Sequence, residues 1–239
     1  MKTRIVIPAR LESSRLPKKL IKKINGKTLI EHVFTRAKKI KCDSLVIATD
    51  NRIIKDIAES SNMDCWFSRK SFLNGTHRIS ALSDELKYKN SDIVINIQAD
   101  EFNFPISGVS RMINYMKRQS SINVTTLIFK NNNKNIFNDK NMVKVAIDTN
   151  NQALIFTRSP IPYNGSTDSY IHIGIYGYRV SILKKYSQLN LCPYEKSEKL
   201  EQLRFLWNNI KIKCLLLKQN SSLSINTLKD LKMARSIKK

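Results

Sequence analysis

Short apolar runs alternate with amphipathic stretches through the first half of the chain. The apolar runs, each bounded by polar or turn-forming residues, predict buried strands at residues 4–8, 44–49, 65–68 and 92–98. The stretches between them repeat apolar residues at helical spacing, which predicts helices at residues 28–40, 52–60 and 77–88. Strands that alternate with helices in this way are typical of a parallel sheet covered by helices on both faces.

The second half of the chain is richer in strands. Its apolar runs predict strands at residues 124–129, 142–147, 153–158 and 172–178, and helices at residues 180–188, 195–207 and 227–236. Polar segments rich in Asn, Gly and Ser predict loops at residues 130–140 and 163–170, the first of them mobile. We therefore expect an α/β fold in which the second half adds a small β-rich lobe.

Polar loops follow three of the predicted parallel strands, at Pro8, at Asp50 and at residues 98–100. Right-handed crossovers between these strands bring the three loops to one edge of the sheet. Open α/β sheets bind their ligands at this carboxyl edge. The pattern thus predicts a crevice that holds the active site.

The first of these loops is rich in cations and hydroxyl groups. It carries Ser13, Ser14 and the cations Arg10, Arg15, Lys18 and Lys19. An arginine offers a planar fork of donors and a lysine a compact charge, and both suit a polyphosphate. A solvated basic turn is the alternative interpretation, because the whole chain is basic.

Two further segments carry candidate chemistry, each with a structural alternative. Asp100 follows a buried apolar run, where an acid is costly without a partner. A carboxylate there suits Mg²⁺ beside a triphosphate, and capping of the next turn is the alternative. Gly75-Thr76 precedes a predicted helix, so it is either part of a nucleotide site or a simple helix cap.

Composition narrows the class of protein. The 239 residues are 41% hydrophobic, which predicts one globular domain with a sizeable core. The net charge of +23 comes from lysines dispersed along the chain, so we expect no nucleic-acid partner. The scattered cysteines have no zinc-site spacing, and we expect free thiols. Neither a membrane-spanning run nor a signal-peptide pattern occurs, which predicts no membrane insertion and a cytoplasmic location.

Several motifs occur in order along nearly the whole chain. They are Pro8-Ala9-Arg10, Ser13-Ser14-Arg15-Leu16-Pro17 with Lys19, Asn25-Gly26-Lys27, Ala48-Thr49-Asp50, Gly75-Thr76, Gln98 with Asp100-Glu101, Phe156-Thr157-Arg158, the His-Ile-Gly-Ile-Tyr-Gly-Tyr-Arg segment at 172–179, and Leu200-Glu201-Gln202-Leu203-Arg204. Together they resemble the sugar cytidylyltransferases, and most closely the branch that uses 3-deoxy-D-manno-octulosonate (Kdo).

The resemblance implies a fold and a reaction. The fold is a Rossmann-like nucleotide-diphospho-sugar transferase fold, with a mixed central sheet and a small β-rich lobe. The chain is then one domain, in which residues 1–120 bind nucleotide, residues 121–215 bind sugar and form a homodimer, and residues 216–239 return to the first part. CTP and Kdo are the implied substrates, CMP-Kdo and pyrophosphate the products, and Mg²⁺ the cofactor.

The resemblance also assigns residues. The implied nucleotide-binding residues are Pro8, Ala9, Arg10, Arg15, Lys19, Thr49, Asp50, Gly75, Thr76 and Arg78. The implied sugar-binding residues are Gln98, Arg158, His172, Tyr176, Glu201 and Gln202. Asp100 and Asn226 are the implied metal ligands, and Arg10, Lys19 and Asp100 the catalytic residues.

Without the resemblance, some of these residues have a plainer interpretation. Glu201 and Gln202 would form a solvated helix face, opposite an apolar face of Leu200, Leu203 and Trp207. His172 alone would be a core residue, and we interpret His32 and His77 as structural.

Three positions depart from the family pattern. Ala99 stands where the family has Gly, Phe102 where it has Pro, and Asn226 where it has a metal-binding Asp. An amide oxygen can coordinate a metal but lacks the charge of a carboxylate. These departures leave open a weakened or non-catalytic family member. A related acidic sugar, such as 8-amino-Kdo or a nonulosonate, is a separate alternative within the same class.

Overall fold

The structure is a computed structural model that describes residues 1–131, 133–163, 169–218 and 222–237. The strands are β1 (Thr3–Ala9), β2 (Lys23–Ile24), β3 (Lys27–Thr28), β4 (Ser44–Thr49), β5 (Cys65–Phe67), β6 (Ile93–Ile97), β7 (Glu101–Asn103), β8 (Val124–Asn131), β9 (Lys144–Ile147), β10 (Ala153–Thr157), β11 (Ser169–Arg179), β12 (Ile212–Leu217) and β13 (Leu223–Ser224). The helices are α1 (Leu29–Ala37), α2 (Arg52–Ser60), α3 (Gly75–Glu85), α4 (Ile106–Arg118), α5 (Lys134–Asn138), α6 (Val180–Lys185), α7 (Pro193–Glu198), α8 (Leu203–Trp207) and α9 (Leu228–Ser236). Single 3-10 turns lie at Lys19–Ile21 and Tyr186–Gln188.

One mixed sheet organises the described residues. Its strands run in the order β12-β8-β11-β6-β1-β4-β5, with β6, β1, β4 and β5 parallel to one another and β11 antiparallel to β6. The β9–β10 hairpin pairs with the amino-terminal half of β11. The strands of the second half therefore extend the sheet formed by the first half, which is the mixed α/β architecture that the sequence predicts.

The sheet separates two apolar layers, and the alternation of its strands explains them. In β6, Ile93, Ile95 and Ile97 belong to one layer, whereas Val94 packs in the other. Each of these side chains is fully buried, which is the expected pattern for a central parallel strand covered on both faces.

Local capping chemistry sets several helix starts. Thr28 accepts the Glu31 amide while the Glu31 carboxylate accepts the Thr28 amide, which forms a capping box at the start of α1. Asn51 caps α2 through its side-chain oxygen. Thr227 and Asp230 form a second capping box at α9, so Asp230 holds a helix end.

Some elements differ from the sequence prediction. The helix predicted at residues 195–207 is two helices, because Lys199 adopts a left-handed conformation with φ of 55°. The segment predicted as a loop at residues 130–140 contains α5. Of the loop predicted at 163–170, residues 164–168 lie outside the described residues, and 169–170 begin β11. Helix α4 and strand β12 had no predicted counterpart.

Two of the composition-based expectations can be compared with the structure. All four cysteines are free thiols. Among the described residues, none of the helices has the length and apolar character needed to span a bilayer.

Candidate active site

The cation loop, residues 10–19, leads from β1 into the 3-10 turn that begins at Lys19. Leu16 and Leu20 are each only 2% exposed, and they anchor this loop to the core. Lys18 takes a left-handed conformation with φ of 54°, which turns the chain just before Lys19. Arg10 and Arg15 remain exposed. The sequence thus buries two leucines and leaves the cations facing the carboxyl edge of the sheet.

Lys19, Asp100 and Asn226 meet at this edge. The Lys19 ammonium lies 2.5 Å from Asp100 Oδ2 and 3.3 Å from Asn226 Oδ1. Asp100 enters from the end of β6, and Asn226 from the turn before α9. A carboxylate and an amide oxygen therefore converge on one cation, which is an arrangement of hard oxygen donors that could also receive Mg²⁺.

The donor set is small. Within the described ranges, no cluster of three or more His, Cys, Asp or Glu side chains is arranged to hold a metal ion. The Asp230 carboxylate accepts the backbone amides of Asn226 and Thr227, and so it is occupied as a helix cap. A divalent ion held by Asp100 and Asn226 would take its remaining ligands from bound phosphate and water.

Arg15 joins the same cluster through Asn226. Its Nη2 lies 2.9 Å from Asn226 Oδ1 and its Nη1 lies 2.7 Å from Asn141 Oδ1. Asn141 had no place among the residues expected from the sequence. Its signal is weak, because an Asn in a polar segment ordinarily predicts only a turn.

Arg78 links the ends of β1 and β4. Its Nη1 donates to the Ala9 carbonyl at 2.7 Å, and its Nη2 forms an ion pair with Asp50. Arg78 is only 5% exposed, so it supports the backbone after Pro8 from below. Thr49 is fully buried, and its hydroxyl accepts the Asn51 amide. Of these residues, Asp50 is the most accessible to a ligand, with a side chain 29% exposed.

Gly75 lies where several predicted site residues converge. A Cβ atom there would lie 3.4 Å from Pro8 Cγ and 3.7 Å from both Gln98 Nε2 and Glu201 Oε1. The Thr76 amide donates to Glu201 Oε2 at 3.2 Å. Thr76 is fully buried, and its hydroxyl lies 3.4 Å from the Tyr178 hydroxyl. Glu201 thus joins the start of α3 to the strand ends.

The plain interpretation of Glu201 and Gln202 as a solvated face is wrong. Gln202 is only 3% exposed, and Glu201 is partly buried with its carboxylate on the Thr76 amide. Burial also raises the pKa of Glu201 above its ordinary value. Leu200 precedes α8, and Trp207 is 49% exposed, so the expected apolar helix face does not form. The reason is tertiary: Glu201 is held by an amide 125 residues away in sequence.

His172 and Tyr176 lie on one face of β11, beside the end of β6. The His172 ring packs against the rings of Phe156 and Tyr176 at centroid distances of 5.2 and 5.1 Å. Its Nε2 is 3.0 Å from Thr126 Oγ1, and burial lowers the pKa of His172 to about 3. The buried Tyr176 hydroxyl has no hydrogen-bond partner among the described residues. This face therefore offers a neutral imidazole and, within the described part of the chain, an unpaired hydroxyl.

Arg158, a predicted sugar-binding residue, borders a cavity and is anchored by two backbone carbonyls. Its Nε donates to the Glu198 carbonyl at 2.9 Å, and its Nη1 to the Lys140 carbonyl at 3.1 Å. It borders a cavity of about 560 Å³ that Lys140 and Glu198 also line. A guanidinium that borders a cavity of this size can bind a carboxylate.

The remaining departures and histidines are buried or partly buried. Ala99 is 5% exposed. Phe102 packs edge-on against His32, whose Nε2 lies 2.7 Å from the Ile24 carbonyl. His77 packs edge-on against Phe72. These contacts agree with the structural interpretation of both histidines.

Glu101 is a buried acid whose role the sequence left open. Its Oε2 accepts the Ser222 hydroxyl at 2.8 Å, and burial together with the neighbouring Asp100 charge raises the pKa of Glu101 to about 7. It ties the end of β6 to the C-terminal segment.

Comparison with known proteins agrees with this arrangement. The cytidylyltransferase family profile matches residues 4–212. The chain is 39% identical to a 3-deoxy-manno-octulosonate cytidylyltransferase of Francisella tularensis subsp. holarctica (strain FTNF002-00 / FTA), across 98% of this chain and 97% of the relative. It is 32% identical to the protein of that name from Coxiella burnetii (strain RSA 331 / Henzerling II), across 99% of both chains.

A solved structure shares the whole fold. CMP:2-keto-3-deoxy-manno-octonic acid synthetase, solved in complex with CTP, superposes with a TM-score of 0.89 at 32% identity, and the match covers 99% of this chain and 98% of that one. Sequence profile, relatives and fold agree over nearly the full length. The chain therefore belongs to the cytidylyltransferase family and is a nucleotidyltransferase.

Proposed function

We propose that this protein transfers CMP from CTP to the anomeric hydroxyl of Kdo, giving CMP-Kdo and pyrophosphate for lipopolysaccharide synthesis. The observation that carries the proposal is the cluster of Lys19, Asp100 and Asn226 beneath the cation loop. The Lys19 cation and these two oxygen donors lie close together, as a site for a triphosphate and its metal requires. The family membership and the names of the full-length relatives support the same reaction.

The nucleotide side binds charge. Arg10, Arg15 and Lys19 bind the triphosphate, and Lys19 exchanges its contact with Asp100 for a phosphate oxygen. The cytosine ring lies against the backbone of residues 8–10, which Arg78 supports through the Ala9 carbonyl. Fixed cations at the leaving group stabilise the charge that develops on pyrophosphate.

Asp100 and Asn226 would hold Mg²⁺ together with phosphate oxygens. The fit is supported by the convergence of their oxygens on the Lys19 ammonium, a cation of the chain itself. When bound, the ion supplies Lewis-acid polarisation of the α-phosphate.

The sugar side orients the nucleophile. Arg158 binds the Kdo carboxylate, and Gln98, Glu201 and Gln202 bind its hydroxyl groups. The neutral His172 and the unpaired Tyr176 hydroxyl complete this wall. The anomeric oxygen forms a bond to the α-phosphorus as the bond to the bridging oxygen breaks, and the hydroxyl proton passes to water. Catalysis is largely positioning of the two substrates.

We place a homodimer contact on the edge strand β10. Leu154 and Ile155 of this strand are 63% and 42% exposed, and edge strands carry unpaired backbone groups. Light scattering would report the mass, and Leu154→Asp should shift it to that of a monomer. Since CTP is the donor, we place the reaction in the cytoplasm.

Pyrophosphate release from CTP and Kdo, with and without Mg²⁺, tests the proposed reaction. Release that requires both Kdo and Mg²⁺ would support it. Release with another acidic sugar but not with Kdo would move the assignment to that sugar. Silence from the native chain with recovery in Asn226→Asp would identify a weakened enzyme, and silence from both folded proteins would reject the reaction.

A further inference from the structure

Lys144 is a buried cation that the catalytic scheme does not use. It begins β9 and is fully buried. Its ammonium donates to the carbonyls of Asp139, Met142 and Arg158 at 2.6, 2.9 and 2.8 Å. An ammonium has three donors, so each is satisfied. Burying a charge is costly without such partners, and an apolar side chain would fill the same space. The distinctive contribution of the ammonium is therefore the position of these three carbonyls.

Two of the three carbonyls, those of Asp139 and Met142, flank the segment that anchors Arg158, and the third belongs to Arg158 itself. Lys140 lies between Asp139 and Met142, and its own carbonyl accepts Arg158 Nη1. Lys144 therefore fixes the segment that receives the guanidinium. It also binds the Arg158 carbonyl directly. The buried ammonium therefore positions the backbone of Arg158 directly, and it positions the guanidinium of Arg158 through residues 139–142.

We propose that Lys144 is the positioning residue that sets the Arg158 guanidinium for the carboxylate of an acidic sugar. The inference rests on the proposed function, because it takes the ligand of Arg158 to be that carboxylate. Lys144 does not touch the substrate: it acts through Arg158 and through the segment 139–142. Asn141, which contacts Arg15, belongs to the same segment, so a smaller effect reaches the nucleotide side.

A double-mutant cycle tests the coupling. Lys144→Met keeps an unbranched side chain that ends one atom short of the lysine, and it removes the ammonium. We expect the KM for Kdo to rise roughly tenfold, with a smaller change in the KM for CTP, because small misplacements of a positioning group are costly. Combined with Arg158→Ala, the Lys144 change should add almost nothing to the KM for Kdo. Effects that multiply independently would overturn the proposal.

Arg179→Met is the matched control. Arg179 is also a buried cation that donates to three carbonyls, those of Met116, Gln119 and Ile122, at the opposite end of β11. The Arg179→Met variant should lower the Tm, as we also expect of Lys144→Met, but it should leave the KM for Kdo unchanged. A control that raises this KM as much as Lys144→Met would show a general defect of folding and overturn the proposal.

A second readout needs no substrate. Phenylglyoxal labelling, mapped to Arg158 by mass spectrometry, should proceed several-fold faster in Lys144→Met than in the wild type or in Arg179→Met. An unchanged rate at Arg158 would reject the positioning role, even if Kdo proved to be the wrong sugar. If the wild-type protein shows no turnover with Kdo, the proposed function alone would be rejected. If Lys144→Met does not fold, Lys144→Arg replaces it in both tests, since a longer, planar guanidinium cannot reproduce the tetrahedral arrangement of the three ammonium donors.

Discussion

The Lys19 ammonium and the Asp100 carboxylate are paired at 2.5 Å, although they lie on different segments 81 residues apart. Each is partly exposed, with side chains 14% and 25% accessible. In the free protein the two charges therefore neutralise each other. Under the proposed function, a phosphate would replace Asp100 as the partner of Lys19, and Mg²⁺ would replace Lys19 as the partner of Asp100.

Asp100→Asn should separate these two roles. We expect kcat to fall by roughly 10²- to 10³-fold, because the charge that holds the metal is lost. In EDTA, the affinity for CTP should rise, since Lys19 is released and a negative charge beside the triphosphate is gone. Pyrophosphate release and calorimetric titration measure the two effects. Asp56→Asn, an exposed change on α2, is the charge control, and a normal kcat in Asp100→Asn would refute the role of Asp100.

Asn226→Asp should shift the dependence on Mg²⁺. A carboxylate gives the metal a charged ligand, so half-maximal activity should be reached at a lower Mg²⁺ concentration. Without the metal, the new charge should pair with Arg15 and Lys19, whose donors already reach Asn226 Oδ1. We therefore expect weaker CTP binding in EDTA than in the wild type. Identical Mg²⁺ titrations of the two proteins would contradict a metal-binding role for residue 226.

Arg78→Lys should loosen the protein backbone at Ala9, against which the cytosine ring is proposed to lie. A lysine keeps the charge but cannot reach both the Ala9 carbonyl and Asp50. Loss of one charged hydrogen bond costs about 1.5–3 kcal/mol, so we expect a higher KM for CTP and weaker discrimination against UTP. Steady-state kinetics with both nucleotides measure this. An unchanged ratio of the two kcat/KM values would show that the Ala9 carbonyl does not depend on Arg78.

The stability of the protein should fall in acid through His172. Burial lowers the pKa of His172 to about 3, from an ordinary value of 6.5. Between these values the unfolded chain binds a proton that the folded chain does not. The contribution of His172 to the free energy of unfolding is therefore complete above pH 6.5. It is lost as the pH falls towards 3, by at most about 1.4 kcal/mol per pH unit. In His172→Gln, denaturant unfolding should show a flatter pH dependence, and an unchanged slope would mean that the imidazole is already charged in the fold.

Glu101 opposes this trend. Its pKa is raised to about 7 from an ordinary value of 4.5. Between these two pH values the folded chain holds a proton that the unfolded chain has lost. Its contribution is present below pH 4.5 and is lost as the pH rises through 7. The contribution of Glu101 to the free energy of unfolding cancels when His172→Gln is compared with the wild type, because both proteins retain Glu101.

The sequence predicted elements well where the signal is local. Strand Ser44–Thr49 and helix Arg52–Ser60 have the predicted bounds, since an apolar run and the Asn51 cap mark them. Helix α4 was missed, although Val109, Met112, Ile113 and Met116 repeat at helical spacing and are buried. Its start at Pro105 has no side-chain cap, so the usual starting signal is absent.

The site shows where sequence reasoning ends. The carboxyl-edge rule brought Asp100 near the cation loop without any structure. It could not place Asn226 on Lys19, a contact between residues 207 apart in sequence. Nor could it predict Lys144, because a lysine at the edge of a strand pattern ordinarily faces solvent. Contacts of this kind depend on tertiary packing.

Strand β11 has a consequence for substrate specificity. It pairs with β6 at its carboxyl-terminal end and with β9 at its amino-terminal end, so the strand that leads to Asp100 and the strand that carries Lys144 share one hydrogen-bonded neighbour. The separation between the end of β6 and the start of β9 is then set by backbone spacing, which is the same for any side chain. A different acidic sugar would require new side chains along β11 and no rearrangement of the sheet.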